Sequence, residues 1–237
     1  GESDDDTLLT STTDALGDLE STEVLHELGE ALASRAIQNG IPMNLIGGLA
    51  VRLSCRSILG QVPTLERPIR NVNFVAYTKD RARIEKLMQD AGLNADREFN
   101  MANGGERIVF LSQGRGAESR IEVFLDRLKM NHEIPFEDRL DMESLTVSPT
   151  DLILSKLQIV DLARKDAIDL FAIGATFDFE PEPKDIETPI VNMGYISELC
   201  AEDWGFYWTI TSNLRKLNEE NFSSIPRRYT PKFRERI

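Results

Sequence analysis

Cysteine and histidine are nearly absent from this 237-residue chain: Cys55, Cys200, His26 and His132 are all it has. A disulfide framework calls for more cysteines in a shorter chain, so two free thiols in a reducing compartment are expected. A structural zinc site needs about four soft ligands close together, and these four residues are scattered. Long apolar runs are missing as well. Nothing approaches the roughly 20 residues that span a bilayer, and the first residues offer neither a basic start nor an apolar signal core. A cytoplasmic protein with no membrane association is therefore expected. Positive charge is short: the net charge is −13, which argues against bulk binding of DNA or RNA. No lysine or arginine precedes Arg35, whereas Arg227, Arg228, Lys232, Arg234 and Arg236 crowd the far end. Solvated extremities fit that split, and so does pairing of the two ends within one chain or between two.

What remains is an ordinary globular composition, with 41% hydrophobic and 28% charged residues and length for one large domain or two small ones. Residues 1–20 are polar and acidic and read as a flexible arm. From Thr22, the positions Val24, Leu25, Leu28, Ala31, Leu32 and Ala36 recur at helical spacing, until Asn39-Gly40 and Pro42 stop the helix. Asn44-Leu45-Ile46 reads as a short buried strand ending at Gly47-Gly48, with a second helix from about Leu49 to Leu59. Val72, Phe74 and Ala76 alternate in a strand pattern, and Lys79 to Ala91 reads as a helix closed by Gly92. Asn103-Gly104-Gly105 predicts a hairpin turn joining a strand near Arg97–Met101 to one at Arg107–Leu111. Gly114-Arg115-Gly116 predicts another, leading into Arg120–Asp126. Beyond Asp126 the pattern is mostly helical. Helices start at Ser148-Pro149-Thr150-Asp151, run from Lys165 to Thr176, and lie around Tyr195–Ala201 and Trp204–Asn218. Phe179–Pro189 reads as a proline-rich linker. The expected fold class is α/β (α+β): a mixed sheet with flanking helices over 21–147, then a helical C-terminal region over 148–237.

One constellation carries chemistry. Nucleotidyl transfer commonly uses two divalent ions about 3.5–4 Å apart. Carboxylates at alternate positions of one strand face the same way and can hold both, and a third on a neighbouring strand completes the cage or acts as a base. A glycine-rich turn entering a helix offers backbone N–H groups to phosphates. This chain supplies the turn at Gly47-Gly48 and the alternate polar positions Asn71 and Asn73. It adds Glu122 on a later strand, with Asp126 four residues on and facing the same way.

Gly47-Gly48-Leu49-Ala50, then Arg67-Pro68-Ile69-Arg70-Asn71-Val72-Asn73, then Glu122-Val123-Phe124 resembles the nucleotidyltransferase superfamily. Within it, the chain is most similar to the bacterial abortive-infection toxin-like branch, which reads Gly-Gly-x-Ala and then Arg-x-Thr-Lys-Asp-Ile-Asp. The likeness continues through the helix beginning Ser148-Pro149-Thr150-Asp151 and through Lys165-Asp166-Ala167-Ile168-Asp169, covering about residues 41 to 172. It implies a nucleotidyltransferase-like sheet and a nucleoside triphosphate held by Gly47, Gly48, Arg67, Arg70, Lys156 and Lys165. It implies catalytic positions at Asn71, Asn73 and Glu122, and Mg²⁺ on Glu122 and Asp126. The two metal aspartates of the family fall on Asn71 and Asn73, and its threonine falls on Ile69. Mg²⁺ prefers anionic oxygen ligands, so two neutral amides imply a degenerate site. Transfer should be slowed at least about 10²–10³-fold.

Plainer readings stand beside these. Asn71 and Asn73 also suit an exposed strand face, Gly47-Gly48 a strand-to-helix turn, and Glu122 and Asp126 the solvent side of a half-buried strand. Lys156 also suits a snorkelling side chain, and Lys165, Asp166 and Asp169 suit helix-end charges. Trp204 and Trp208, four apart on one helix face, read as core rather than as a stacking platform. Three functions follow: a nucleotide-binding protein with little or no Mg²⁺-dependent transfer, an active enzyme passing NMP to a protein, RNA or small-molecule acceptor, and a non-catalytic interaction module. In the last, the cleft is vestigial and the acidic N-terminal arm contacts a basic protein partner; separately, exposed Phe and Trp in the tail are compatible with a homodimer.

Overall fold

The computed structural model describes residues 5–113, 118–182 and 189–219, together with Ile225, Phe233 and Glu235. Helix α1 spans Asp5–Gln38. It buries Leu25, Leu32, Ala33 and Ala36 and ends before Gly40, whose φ of 60° suits a residue without Cβ. Its helical backbone takes in most of the stretch expected to be a loose acidic arm. Strand β1 (Met43–Ile46) is buried throughout. The helix expected after it is two short ones, α2 (Gly48–Ser54) and α3 (Arg56–Gln61), divided at Cys55. Strand β2 is Asn71–Ala76 and helix α4 is Arg81–Asp90.

The segment expected as a strand and hairpin is instead β3 (Asn94–Ala95), helix α5 (Arg97–Asn103) and β4 (Arg107–Gln113). Asp96 explains the difference. Its carboxylate accepts from the Phe99 N–H at 3.0 Å, a side-chain cap that satisfies an otherwise orphaned helix donor. Strand β5 is Glu118–Leu125; the turn expected at Gly114-Arg115-Gly116 lies outside the described residues. A small hairpin, β6 (Arg127–Lys129) with β7 (Glu133–Pro135), follows. Next come α6 (Pro149–Leu157), whose first-turn donor is capped by Ser148, and α7 (Arg164–Thr176). Across the expected linker, β8 (Phe179–Glu180) pairs in parallel with β9 (Val191–Asn192). Helices α8 (Met193–Glu202) and α9 (Trp204–Glu219) complete the described chain.

The main sheet has the order β1-β2-β5-β4-β3. Only β2 and β5 run parallel; the other neighbours are antiparallel. The architecture is thus α/β, a mixed sheet with flanking helices followed by a helical half. Side chains alternate across a sheet, and here the alternation separates two chemistries. One face carries Val72, Phe74, Ile108, Phe110, Ile121 and Val123, all buried. Helix α1 covers it so closely that a Cβ at Gly29 would lie 3.2 Å from Val72 and 3.5 Å from Leu45. The opposite face carries Asn71, Asn73, Arg107, Arg120 and Glu122; Asn71 and Asn73 look into the space below α6 and α7, while Arg107 and Arg120 stack on Phe99 of α5.

A single apolar cluster runs from α1 through the sheet to α6, α7, Ile225 and Phe233, so residues on both sides of position 147 share one core. Phe233 seats its ring on α7, 4.6 Å from that of Phe171. The two cysteines are unpaired, and burial pushes the Cys55 thiol up to about 12. Trp204 and Trp208 are not core: they are 72% and 57% exposed. Helix α9 turns Phe206, Ile210, Asn213 and Leu217 inward instead, which leaves positions 204 and 208 on the outer side. Among the described residues, no helix is long and apolar enough to cross a membrane.

Candidate functional site

A cavity of about 750 Å³ lies between the polar face of β2 and β5 and the helices α6 and α7. Its floor is the turn between β1 and α2. Gly47 sits at φ 78°, a left-handed conformation that glycine adopts without strain. A Cβ there would lie 3.4 Å from the Asn73 Nδ2. At Gly48 a Cβ would fall 2.3 Å from an Arg67 Nη, so only glycine lets that guanidinium reach the backbone. The paired glycines and the amide of Asn73 are therefore neighbours, as the antiparallel pairing of Ile46 with Asn73 requires. Asn71 lies two residues along the same strand face, at the mouth.

The wall supplied by α6 and α7 is a buried charge network. Arg67 donates through Nε to Asp169 at 2.8 Å and through a second guanidinium nitrogen to the other carboxylate oxygen. Lys156 lies 2.9 Å from Asp166 and 2.8 Å from Asp169. Both aspartates are buried, so each is tolerated only with its partners in place. Burial alone would lower the Arg67 pKa, but the hydrogen bond and charge of Asp169 outweigh it and hold the guanidinium above its ordinary value. Lys156 borders the cavity with its ammonium already engaged by two carboxylates, rather than snorkelling to water. Arg70 and Lys165 are exposed at the rim, and Lys165 has no ion pair among the described residues. Asp161 shares the rim, while Phe124, Leu128 and Ile159 give the cavity an apolar side.

The two remaining acids stand differently from each other. Glu122 is in register with Asn73 on the same face, but both its oxygens are taken. Oε2 accepts from Arg107 at 2.9 Å and Oε1 from Arg120 at 2.7 Å. Both guanidiniums lie on the Phe99 ring, at 4.9 and 4.8 Å from its centre, a cation–π arrangement that fixes them. Asp126 does not face the way Glu122 does. It follows β5 at φ 61°, which turns it out of the strand, and its carboxylate accepts from the N–H and hydroxyl of Thr78 at 2.9 and 2.6 Å. It is a local turn residue away from the cavity lining. Among the described residues, no group of three or more His, Cys, Asp or Glu is placed to hold a metal ion.

Sequence reasoning missed Arg107, Arg120 and Phe99. The signal was partly there: Arg120 and Glu122 are two apart on one strand, which puts them on one face. The cross-strand place of Arg107 and the helical form of α5 come only from the register. One buried amide oxygen, Asn73 Oδ1, has no hydrogen-bond partner among the described residues and adjoins the Gly47 turn.

No protein-family model matches the chain, and no curated protein matches it. Among solved structures, it is similar to the crystal structure of an antigenic nucleotidyltransferase-like protein from Paracoccidioides brasiliensis. The sequence identity is 14%, the alignment covers 81% of this chain and 94% of that one, and the TM-score is 0.36.

Proposed function

We propose that the cleft binds a nucleoside triphosphate in a nucleotidyltransferase-like fold whose Mg²⁺-dependent transfer is weak or lost. One observation carries this reading. A single cavity gathers the Gly47-Gly48 turn, the amides of Asn71 and Asn73, and the exposed basic side chains of Arg70 and Lys165, with the aspartate-paired Arg67 and Lys156 in its wall, from segments far apart in the chain. Polyphosphate needs backbone or amide N–H donors and cations, and the apolar side at Phe124, Leu128 and Ile159 suits a base or ribose. The residues do not fit a pair of dications: Asn71 and Asn73 are neutral, the charge of Glu122 is matched by two arginines, and Asp126 points elsewhere. Calorimetric titration with ATP, GTP, CTP and UTP tests the reading. At least one should bind, and Lys165→Glu should weaken it on the order of tenfold by reversing a rim charge. If none binds, the nucleotide reading is wrong.

A second reading, docking of a protein partner or a second copy, is favoured by the exposed aromatic group on α9. There the rings of Trp204 and Tyr207 are 5.2 Å apart, and those of Trp204 and Trp208 are 6.4 Å apart; clustered exposed aromatics often mark interfaces. Sedimentation velocity of the chain and of Trp204→Ser with Trp208→Ser tests it through loss of self-association.

A further inference from the structure

We infer that the outer face of α9 pairs with the same face of a second copy of this chain, the two helices lying antiparallel across a two-fold axis. The inference rests on the docking reading of α9 above and goes further, to the identity of the partner and the direction of packing. Helix α9 is apolar on two sides. Its inner side buries Phe206, Ile210 and Leu217. Its outer side presents Trp204, Tyr207 and Trp208, which are 72%, 40% and 57% exposed. Trp204, Trp208, Thr211 and Arg215 follow one another at helical spacing, which places them in one row along the helix.

The ring planes of Tyr207 and Trp208 are tilted by only 32° and 36° from that of Trp204. The patch is therefore flat rather than cage-like, and a flat aromatic surface suits another helix face better than a small molecule. Its area matches what a weak dimer needs. A large aromatic side chain offers roughly 150–250 Å², so three of them at these exposures remove on the order of 400 Å² per copy. Two copies come to about 800 Å², and Thr211 and the Arg215 stem bring the pair near the ~1,000 Å² of a specific interface.

The charges along the row choose the direction. Glu202 and Asp203 stand exposed just before Trp204, and Arg215 and Lys216 stand exposed at the far end, with Glu219 the acid beyond them. A parallel pair would set each of these groups against its own copy. An antiparallel pair, with its two-fold axis level with the junction of Thr209 and Ile210, brings Arg215 over the partner's Trp204, a cation–π contact. It brings Lys216 to the partner's Asp203 and Trp208 beside the partner's Thr211. The row is thus complementary to itself, as an isologous contact requires, and the helix dipoles oppose each other.

Two measurements test this. Sedimentation velocity over a range of concentrations should show reversible dimers of the intact chain. Arg215→Glu should weaken them at least about tenfold, by losing the cation–π contact and setting an acid toward acids. Cysteine cross-linking reads the direction. In a Cys200→Ser background, Thr211→Cys should give a disulfide-linked dimer on mild oxidation with copper phenanthroline, since the antiparallel pair offsets position 211 from its copy by only about 5 Å along the helix. Asn218→Cys should not, since the same pair offsets position 218 from its copy by about 25 Å. Thermal unfolding checks that each variant is folded; if Arg215→Glu is not, the cross-linking pair decides alone. An unchanged Arg215→Glu dimer, or cross-linking at position 218 as strong as at 211, or at neither, overturns the antiparallel pairing and leaves α9 a docking face. A chain that stays monomeric at the highest concentration reached overturns the pairing and leaves that face to a different protein. Self-association that survives Trp204→Ser with Trp208→Ser moves the interface off α9 and overturns both readings.

Discussion

The two walls of the cleft are built differently. On the α6–α7 wall, Lys156, Asp166, Asp169 and Arg67 are mostly buried, and each charge touches its opposite. On the sheet wall, Asn71 and Asn73 are neutral, one amide oxygen is unpartnered, and the neighbouring Arg107–Glu122–Arg120 clamp is partly open to water. The difference separates residues that hold the cleft together from residues free to meet a ligand. Removing one member of a buried network strands its partners in low dielectric, whereas trimming a half-exposed neutral amide leaves nothing charged behind. A basic side chain lining a cavity is therefore not by itself a phosphate ligand: Arg67 and Lys156 belong to the scaffold, while Lys165 stands exposed at the mouth.

The largest expected effect breaks the helical wall. Asp169→Ala leaves Arg67 without its carboxylate and Lys156 with only Asp166. It should lower the unfolding free energy by about 3–5 kcal/mol in urea melts followed by circular dichroism. Asn73→Ala, on the sheet wall, should cost about 1 kcal/mol or less in the same melts. Comparable losses at the two sites would erase the distinction between the walls.

A smaller effect sharpens it through pH. Asp151 begins α6, fully buried, with Arg139 at 2.9 Å and the Ser148 hydroxyl at 2.6 Å. Burial raises its pKa above the ordinary 3.8, against the lowering pull of Arg139 and Ser148. The native carboxyl therefore keeps its proton at pH values where the unfolded one has lost it. Its contribution to stability is full below the unfolded value and is lost as pH rises through the native one. The stability of the wild type relative to Asp151→Asn should accordingly fall as pH climbs from below 3.8; a rise would mean that the Arg139 pair dominates. Least of all, Trp208→Ala on the exposed face of α9 should change stability by no more than about 0.5 kcal/mol, since its indole is 57% exposed.

Strands β1, β2, β4 and β5 and helices α6 to α9 were legible in the sequence because their apolar residues keep one period or carry a cap such as Ser148. The segment Arg97–Asn103 was not, because Arg97-Glu98-Phe99-Asn100-Met101 has no decisive period and the following Asn103-Gly104-Gly105 suggested a hairpin. The capping hydrogen bond of Asp96 settles it as helix. For the site, the neighbourhood of Gly47 and Asn73 was readable from motif order. The engagement of Glu122 was not, since Arg107 meets it only through the β4–β5 register. Asp126 was misjudged because alternation was carried past the end of β5, where a left-handed residue redirects the chain. The tryptophans were misjudged because aromatic spacing on α9 does not say which face is buried.

The most direct measurement is a crystal structure of the chain grown with ATP. The phosphates should lie over the Gly47-Gly48 turn, within hydrogen-bonding reach of Lys165 or Arg70, with the Asn73 amide facing the ligand. An empty cleft, or ATP bound on some other surface while the cleft stays vacant, would contradict a nucleotide site built on these amides.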